Sequence, residues 1–108
     1  MTTTFDQRER AFESKFAQDE ELRFKANARR NRYLGLWAAN RLGLAGGDAQ
    51  SYARVLVTTD VDNRGSNSVF EKVSADFASK GIAKADDEIR RMMEDFMAQA
   101  LAEVTAGR

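Results

Sequence analysis

Apolar residues recur at helical rather than alternating spacing along nearly the whole chain. Five helical segments are expected. The first covers about Thr4 to Ala17, with Thr4 as a candidate N-cap and Asp6 in its first turn. The second, about Glu20 to Leu42, contains "YLGLWAANRL" and a broad apolar face of Leu22, Ala26, Tyr33, Leu34, Trp37 and Ala38. Gly43, Gly46 and Gly47 then punctuate the chain. A third helix is expected from a cap at Asp48, with Ala49, Tyr52, Ala53, Leu56 and Val57 on one face. Thr58 to Ser68 reads as a loop by composition. The fourth opens on an expected capping box, Ser68 with Glu71, buries Val69, Phe70, Val73 and Phe77, and stops at Gly81 with Ile82 closing a Schellman turn. The fifth runs from about Lys84 to Val104, with "DDE" at its positive dipole end. Its apolar set is Ile89, Met92, Met93, Phe96, Ala100, Leu101 and Val104.

The first segment differs from the others. Phe5, Phe12 and Phe16 are spaced seven and then four residues apart, which places them within an arc of about 40° on a helix. That stripe is thinner than the face of roughly 100° or more that holds a helix in a globular core. Three buried phenylalanines contribute about 1.5–3 kcal/mol each. Ordering the backbone costs on the order of 1–2 kcal/mol per residue. An Asp6–Arg10 pair at i, i+4 adds a little. The expectation is an all-α protein: a small bundle of about four helices over residues 19–108, with a loop near 58–67. Residues 1–18 are expected to form an N-terminal amphipathic helix that is loosely held or ordered by a partner. No glycine or proline separates the first two segments. The break expected at Gln18 rests on a phase slip in the apolar pattern and on the acid run Asp19, Glu20, Glu21. One continuous helix is the alternative.

With 108 residues and 43% apolar content, one small domain with a real core is possible. Charged residues make up 31% but cancel to a formal zero, so the total predicts no attraction to nucleic acid or acidic membranes. There is no cysteine, histidine or proline. Disulfides, thiolate chemistry and the commonest general base and metal ligand are therefore missing. No long apolar run suggests a signal peptide or membrane span, which points to an intracellular protein.

Three patterns are candidates for function. "RFKANARRNR" carries Arg23, Lys25, Arg29, Arg30 and Arg32 with no acid among them, close to Tyr33 and Trp37. It fits phosphate contacts with aromatic stacking, steering toward an acidic protein surface, or a solvated face whose aliphatic stems cover the bundle. "DVDNRGSNSVFE" has acids at positions one and three, glycine at six and Glu71 at twelve of a calcium-loop frame. Arg64 sits where an oxygen ligand is needed and Asn67 where an apolar residue is usual, so calcium is not expected. No serine or threonine has a histidine to activate it, and "LAGGDA" lacks the Gly-Lys-Ser/Thr of a phosphate loop. No enzyme, cofactor or metal is expected.

"FDQRERAFESKFAQDEELRFKA" and "ARRNRYLGLWAANRLGL" together resemble the zeta subunit of the alphaproteobacterial F1FO-ATP synthase, a small ATPase inhibitor protein. The likeness is densest from Phe5 to Leu44. It continues more loosely through the later helices, including "SKGIAKADDEIRRMM". The resemblance implies an all-helical bundle with an inhibitory N-terminal region. That region is implied to enter a catalytic α/β interface of F1 near γ and to block rotation in the hydrolytic direction, much as the mitochondrial ATPase inhibitor protein does. The F1 contacts it implies are Thr4, Phe5, Arg8, Glu9, Arg10, Phe12, Glu13, Lys15 and Phe16, with Arg23, Lys25, Arg29, Arg30 and Arg32 as a secondary basic surface. It further implies a protein monomeric when free, cytoplasmic, and near the membrane only through the synthase. Relatives often carry a histidine where Gln18 stands, so inhibition here is expected to vary little between pH 6 and 8. The alternative is a small helical nucleic-acid or nucleotide-binding protein using the Arg29–Arg32 run.

Overall fold

The computed structural model describes residues 19–62, 67–83 and 85–108 in full and residues 2–18 as backbone. Four helices follow in order: α1 Thr2–Arg41, α2 Gly46–Asp62, α3 Ser68–Ser79 and α4 Asp86–Thr105. No strand occurs among the described residues. The two helices expected at the N-terminus are one, and the expected break at Gln18 is absent. A slip in apolar phase does not interrupt the i to i−4 hydrogen-bond ladder, and no proline removes a donor from it. At 1.5 Å per residue, α1 is about 60 Å long, close to the 66 Å long axis of the molecule.

α2 and α4 both pack along α1 and run antiparallel to it. Gly35 meets Ala53, and Arg30 reaches Asp60 nearer the end of α2. Arg41 pairs with Glu88, and Arg29 with Glu103 three helical turns back along α1. α3 is short and bridges α2 and α4: Tyr52 donates to Asp76 at 2.7 Å and Ser74 to Asp86 at 2.7 Å. The main core gathers Leu34, Ala38, Leu42, Leu56, Val69, Val73, Phe77, Ala85 and Ile89 from all four helices and the turn before α4. Trp37 stacks obliquely on Phe77 with ring centroids 5.6 Å apart. A second, smaller cluster of Ala26, Ala100 and Val104, with Leu22 and Met97, joins α1 to the last turns of α4.

The local signals fare unevenly. The Schellman stop forms as expected: Gly81 has φ 75°, its N–H donates to Ala78, and the Ile82 N–H donates to Phe77 at 2.9 Å. Ile82 then packs on the main core. The N-cap is Asn67, one residue before the serine expected there, and Ser68 is already helical. Asp48 lies in the first turn of α2 rather than at its cap, since α2 begins at Gly46. That helix also continues through Thr58–Asp62, five residues into the expected loop. Arg64 and Lys84 lie outside the described residues. Leu101, expected in the core, is 40% exposed. α3 has only twelve residues, and its contacts with α4 near Asp86 and Arg90 leave the later turns uncovered on that side.

Candidate functional site

The residues expected to touch a partner divide between the two ends of α1. Thr4, Phe5, Arg8, Glu9, Arg10, Phe12, Glu13, Lys15 and Phe16 belong to its first half, and their side chains lie outside the described residues. The described structure does fix the setting from which that half departs. Val104 and Ala100, near the end of α4, pack on Ala26 and Leu22. Val61 and Asp60, near the end of α2, share a groove with Glu20 and Phe24. Both flanking helices therefore finish level with about residues 20–26, while the α1 backbone continues helical to Thr2.

The basic run does not form a single cationic face. Lys25 pairs with Glu21 at 3.4 Å, and Arg29 with Glu103 at 3.4 Å. Arg30 donates to the Asn31 carboxamide oxygen through Nε at 3.0 Å and Nη2 at 2.9 Å, and lies 3.9 Å from Asp60. Burial lowers its pKa, an effect the Asp60 charge partly opposes. Arg23 and Arg32 are exposed, Arg23 on the rim of the α1–α2 groove. Three of the five cations thus serve ion pairs within the protein, which leaves little of the run for a phosphate backbone.

Glu103 ties the end of α4 to α1. It accepts from the Tyr33 hydroxyl at 2.6 Å, from Arg29, and from Gln99 at 3.2 Å. The Tyr33 bond is the largest cause of a Glu103 carboxylate held below its ordinary range, and it raises the Tyr33 phenol in turn. At the other end of α1, Arg41 bonds Glu88 and sits over the rings of Trp37 and Phe77. Tyr52 is pushed up mainly by burial and then by its bond to Asp76. Asp60 and Asp62 of the calcium-like frame are helical, and Asp60 faces Arg30, so they do not present a loop of oxygen ligands. Among the described residues, no group of acids, histidines or cysteines could hold a metal. Also among them, no helix is long and apolar enough to cross a membrane.

Two residues in α1 matter that helical periodicity did not single out. A Cβ added to Gly35 would lie 2.5 Å from the Ala53 Cα, so this glycine lets α1 and α2 touch backbone to backbone. Its signal was available: a glycine inside a helix costs about 1 kcal/mol relative to alanine and calls for a packing reason. Asn31 is fully buried, and its amide nitrogen has no hydrogen-bond partner among the described residues. An apolar-face count does not anticipate a buried asparagine.

Comparison with known proteins agrees with this architecture. The fold is similar to that of a protein solved by solution NMR, with a TM-score of 0.68 and 37% sequence identity over 81% of this chain and 99% of that one. A search of curated proteins finds no match. The model of the family described as ATPase inhibitor subunit zeta matches residues 1–103, which takes in all of α1, α2 and α3 and most of α4. The chain belongs to the ATPase inhibitor subunit zeta family, so its partner is ATP synthase and its role is the regulatory one of inhibition.

Proposed function

We propose that the first half of α1 is the inhibitory element, and that it enters a catalytic α/β interface of F1 near γ to stall rotation in the hydrolytic direction. One observation carries this reading. α1 continues as helix to Thr2, while α2 and α4 finish level with residues 20–26. A helix that outruns its own bundle needs another surface for its apolar stripe, and a helix laid into a groove is a common solution. Phe5, Phe12 and Phe16 are the anchors on this reading. Thr4, Arg8, Glu9, Arg10, Glu13 and Lys15 set polar register around them. The bundle stays on the outer surface of F1, and the protein acts in the cytoplasm, beside the membrane only through the synthase.

Inhibition of this kind needs no chemistry from the inhibitor, because an inserted helix blocks the closing of a catalytic interface by occupying it. The test is ATP hydrolysis by F1 freed of its own inhibitor, titrated with the full chain and with the Phe12→Ala variant. Inhibition by the full chain, weakened in the variant at unchanged melting temperature, supports the reading. Equal inhibition by both chains overturns it.

A further inference from the structure

We infer that the groove between α1 and α2 at the open end of the bundle is a second docking surface for the same partner, a protein surface of the F1 sector. This deepens the proposed function and rests on it. The groove is lined by Phe24 and Val61, 48% and 47% exposed, together with Val57 and the polar residues Glu20, Arg23 and Asp60. Large apolar side chains beside mixed charge are the anatomy of a protein–protein contact. Two acids against one cation in that lining fit an anionic ligand such as a nucleic acid poorly.

In the segment "DEELRFK", Leu22 packs toward α4 in the small cluster, whereas Phe24 lines the opposite, α2-facing groove and stays half exposed. The groove is also continuous with the inhibitory element. On one unbroken helix, positions 5, 12, 16 and 23 share an arc of about 40°, and Arg23 stands on the groove rim. A surface that receives the phenylalanine stripe on that side of α1 therefore arrives next at the groove, at the end of α2. The helix then supplies the blocking element while the groove holds the bundle against the outside of F1.

The test uses the full chain throughout. Hydrolysis by inhibitor-free F1 is titrated with the wild type, the double variant Phe24→Ala/Val61→Ala, Phe12→Ala, and Val55→Ala. Val55 is a control because it is equally exposed at 47% on the same helix but does not line the groove. The expected result is a rise of about tenfold in the half-inhibitory concentration for the double variant, with maximal inhibition retained and Val55→Ala unchanged. Full potency in the double variant with loss in Phe12→Ala overturns the groove and leaves the helix reading standing. The opposite pattern keeps the groove as a contact and overturns helix insertion. Equal losses in the double variant and Val55→Ala also overturn the groove, since the effect then does not depend on its location. If the double variant does not fold, a photo-reactive benzoylphenylalanine at position 61 or 55 replaces it. Cross-linking to an F1 subunit from position 61 but not from 55 supports the proposal, and any other pattern overturns it.

Discussion

The two apolar clusters along α1 are built from different materials. Near its C-terminal end, Leu34 and Ala38 meet Leu56, Val73, Phe77 and Ile89, all buried, with Trp37 and Phe70 packed around them. Twelve residues nearer the N-terminus, the fully buried contact is between Ala26 and Ala100, helped by Val104, Leu22 and Met97. A buried leucine, isoleucine or phenylalanine contributes about 1.5–3 kcal/mol, whereas an alanine has little more than one methyl to bury. α1 is thus gripped firmly at one end and lightly where it leaves the bundle. The polar contacts do not follow this gradient: Arg41 combines an exposed ion pair with two ring contacts, whereas toward the lighter end Tyr33 and Arg29 both bond Glu103 and Arg30 faces Asp60. Local opening should begin at the light end, beside the segment proposed to act on the partner.

The largest test of this gradient is Phe77→Ala. Removing a fully buried ring from the heavy cluster should destabilise the protein by about 3–5 kcal/mol, read from urea or thermal unfolding. A loss below about 1 kcal/mol would mean that the cluster is not the anchor. Gly35→Val comes next. A side chain placed 2.5 Å from the Ala53 Cα forces α1 and α2 apart, with an expected cost of about 1–3 kcal/mol even after the gain in helix propensity. Phe12→Ala should reverse the balance between stability and function. It should weaken inhibition by about 2 kcal/mol and leave melting nearly unchanged. Hydrogen exchange then sharpens the comparison: amides of residues 34–42 should exchange more slowly than those of residues 22–26. Equal protection at both ends would erase the proposed gradient.

The smallest effect is expected from Tyr33→Phe, and pH identifies it. The Glu103 carboxylate is depressed in the fold, so its stabilising contribution is present above the ordinary carboxylate range and is lost as pH falls through its lowered folded value. The Tyr33 phenol is raised, so its contribution is complete below the ordinary phenol value of about 10 and is lost as pH rises through the folded one. The stability difference between wild type and Tyr33→Phe should therefore be greatest around neutrality and shrink toward both acid and alkali. A difference that is flat with pH would mean that the Tyr33–Glu103 bond is not its source.

Much of the fold was legible because single helices declare themselves. The apolar faces around Leu34, Leu56, Val73 and Ile89 follow from spacing alone, and the Gly81–Ile82 stop follows from glycine's access to positive φ. The errors came from features that depend on a neighbour or on the exact register. The end of α2 extends into a polar stretch where Asp60 meets Arg30 across the interface. Leu101 has the right phase for burial yet is 40% exposed. Gly35 and Asn31 acquire meaning only once α2 lies against α1. For the partner surface, the stripe of three phenylalanines was readable, whereas the groove combines residues nearly forty positions apart and required the fold.

The contact at Gly35 and Ala53 gives α1 the mechanics of a lever. From that crossing to Thr2 the arm is about 50 Å long, and the anchored stub toward Arg41 is about 9 Å. A tilt of about 5° at the crossing would swing the tip by about 4 Å, roughly three-quarters of the rise of a helical turn. Bare backbone contact leaves no side chain at the fulcrum to compress, so the aim of the arm depends on how closely two helices touch there, together with the contacts of Arg30, Tyr33 and Ala26 further along it.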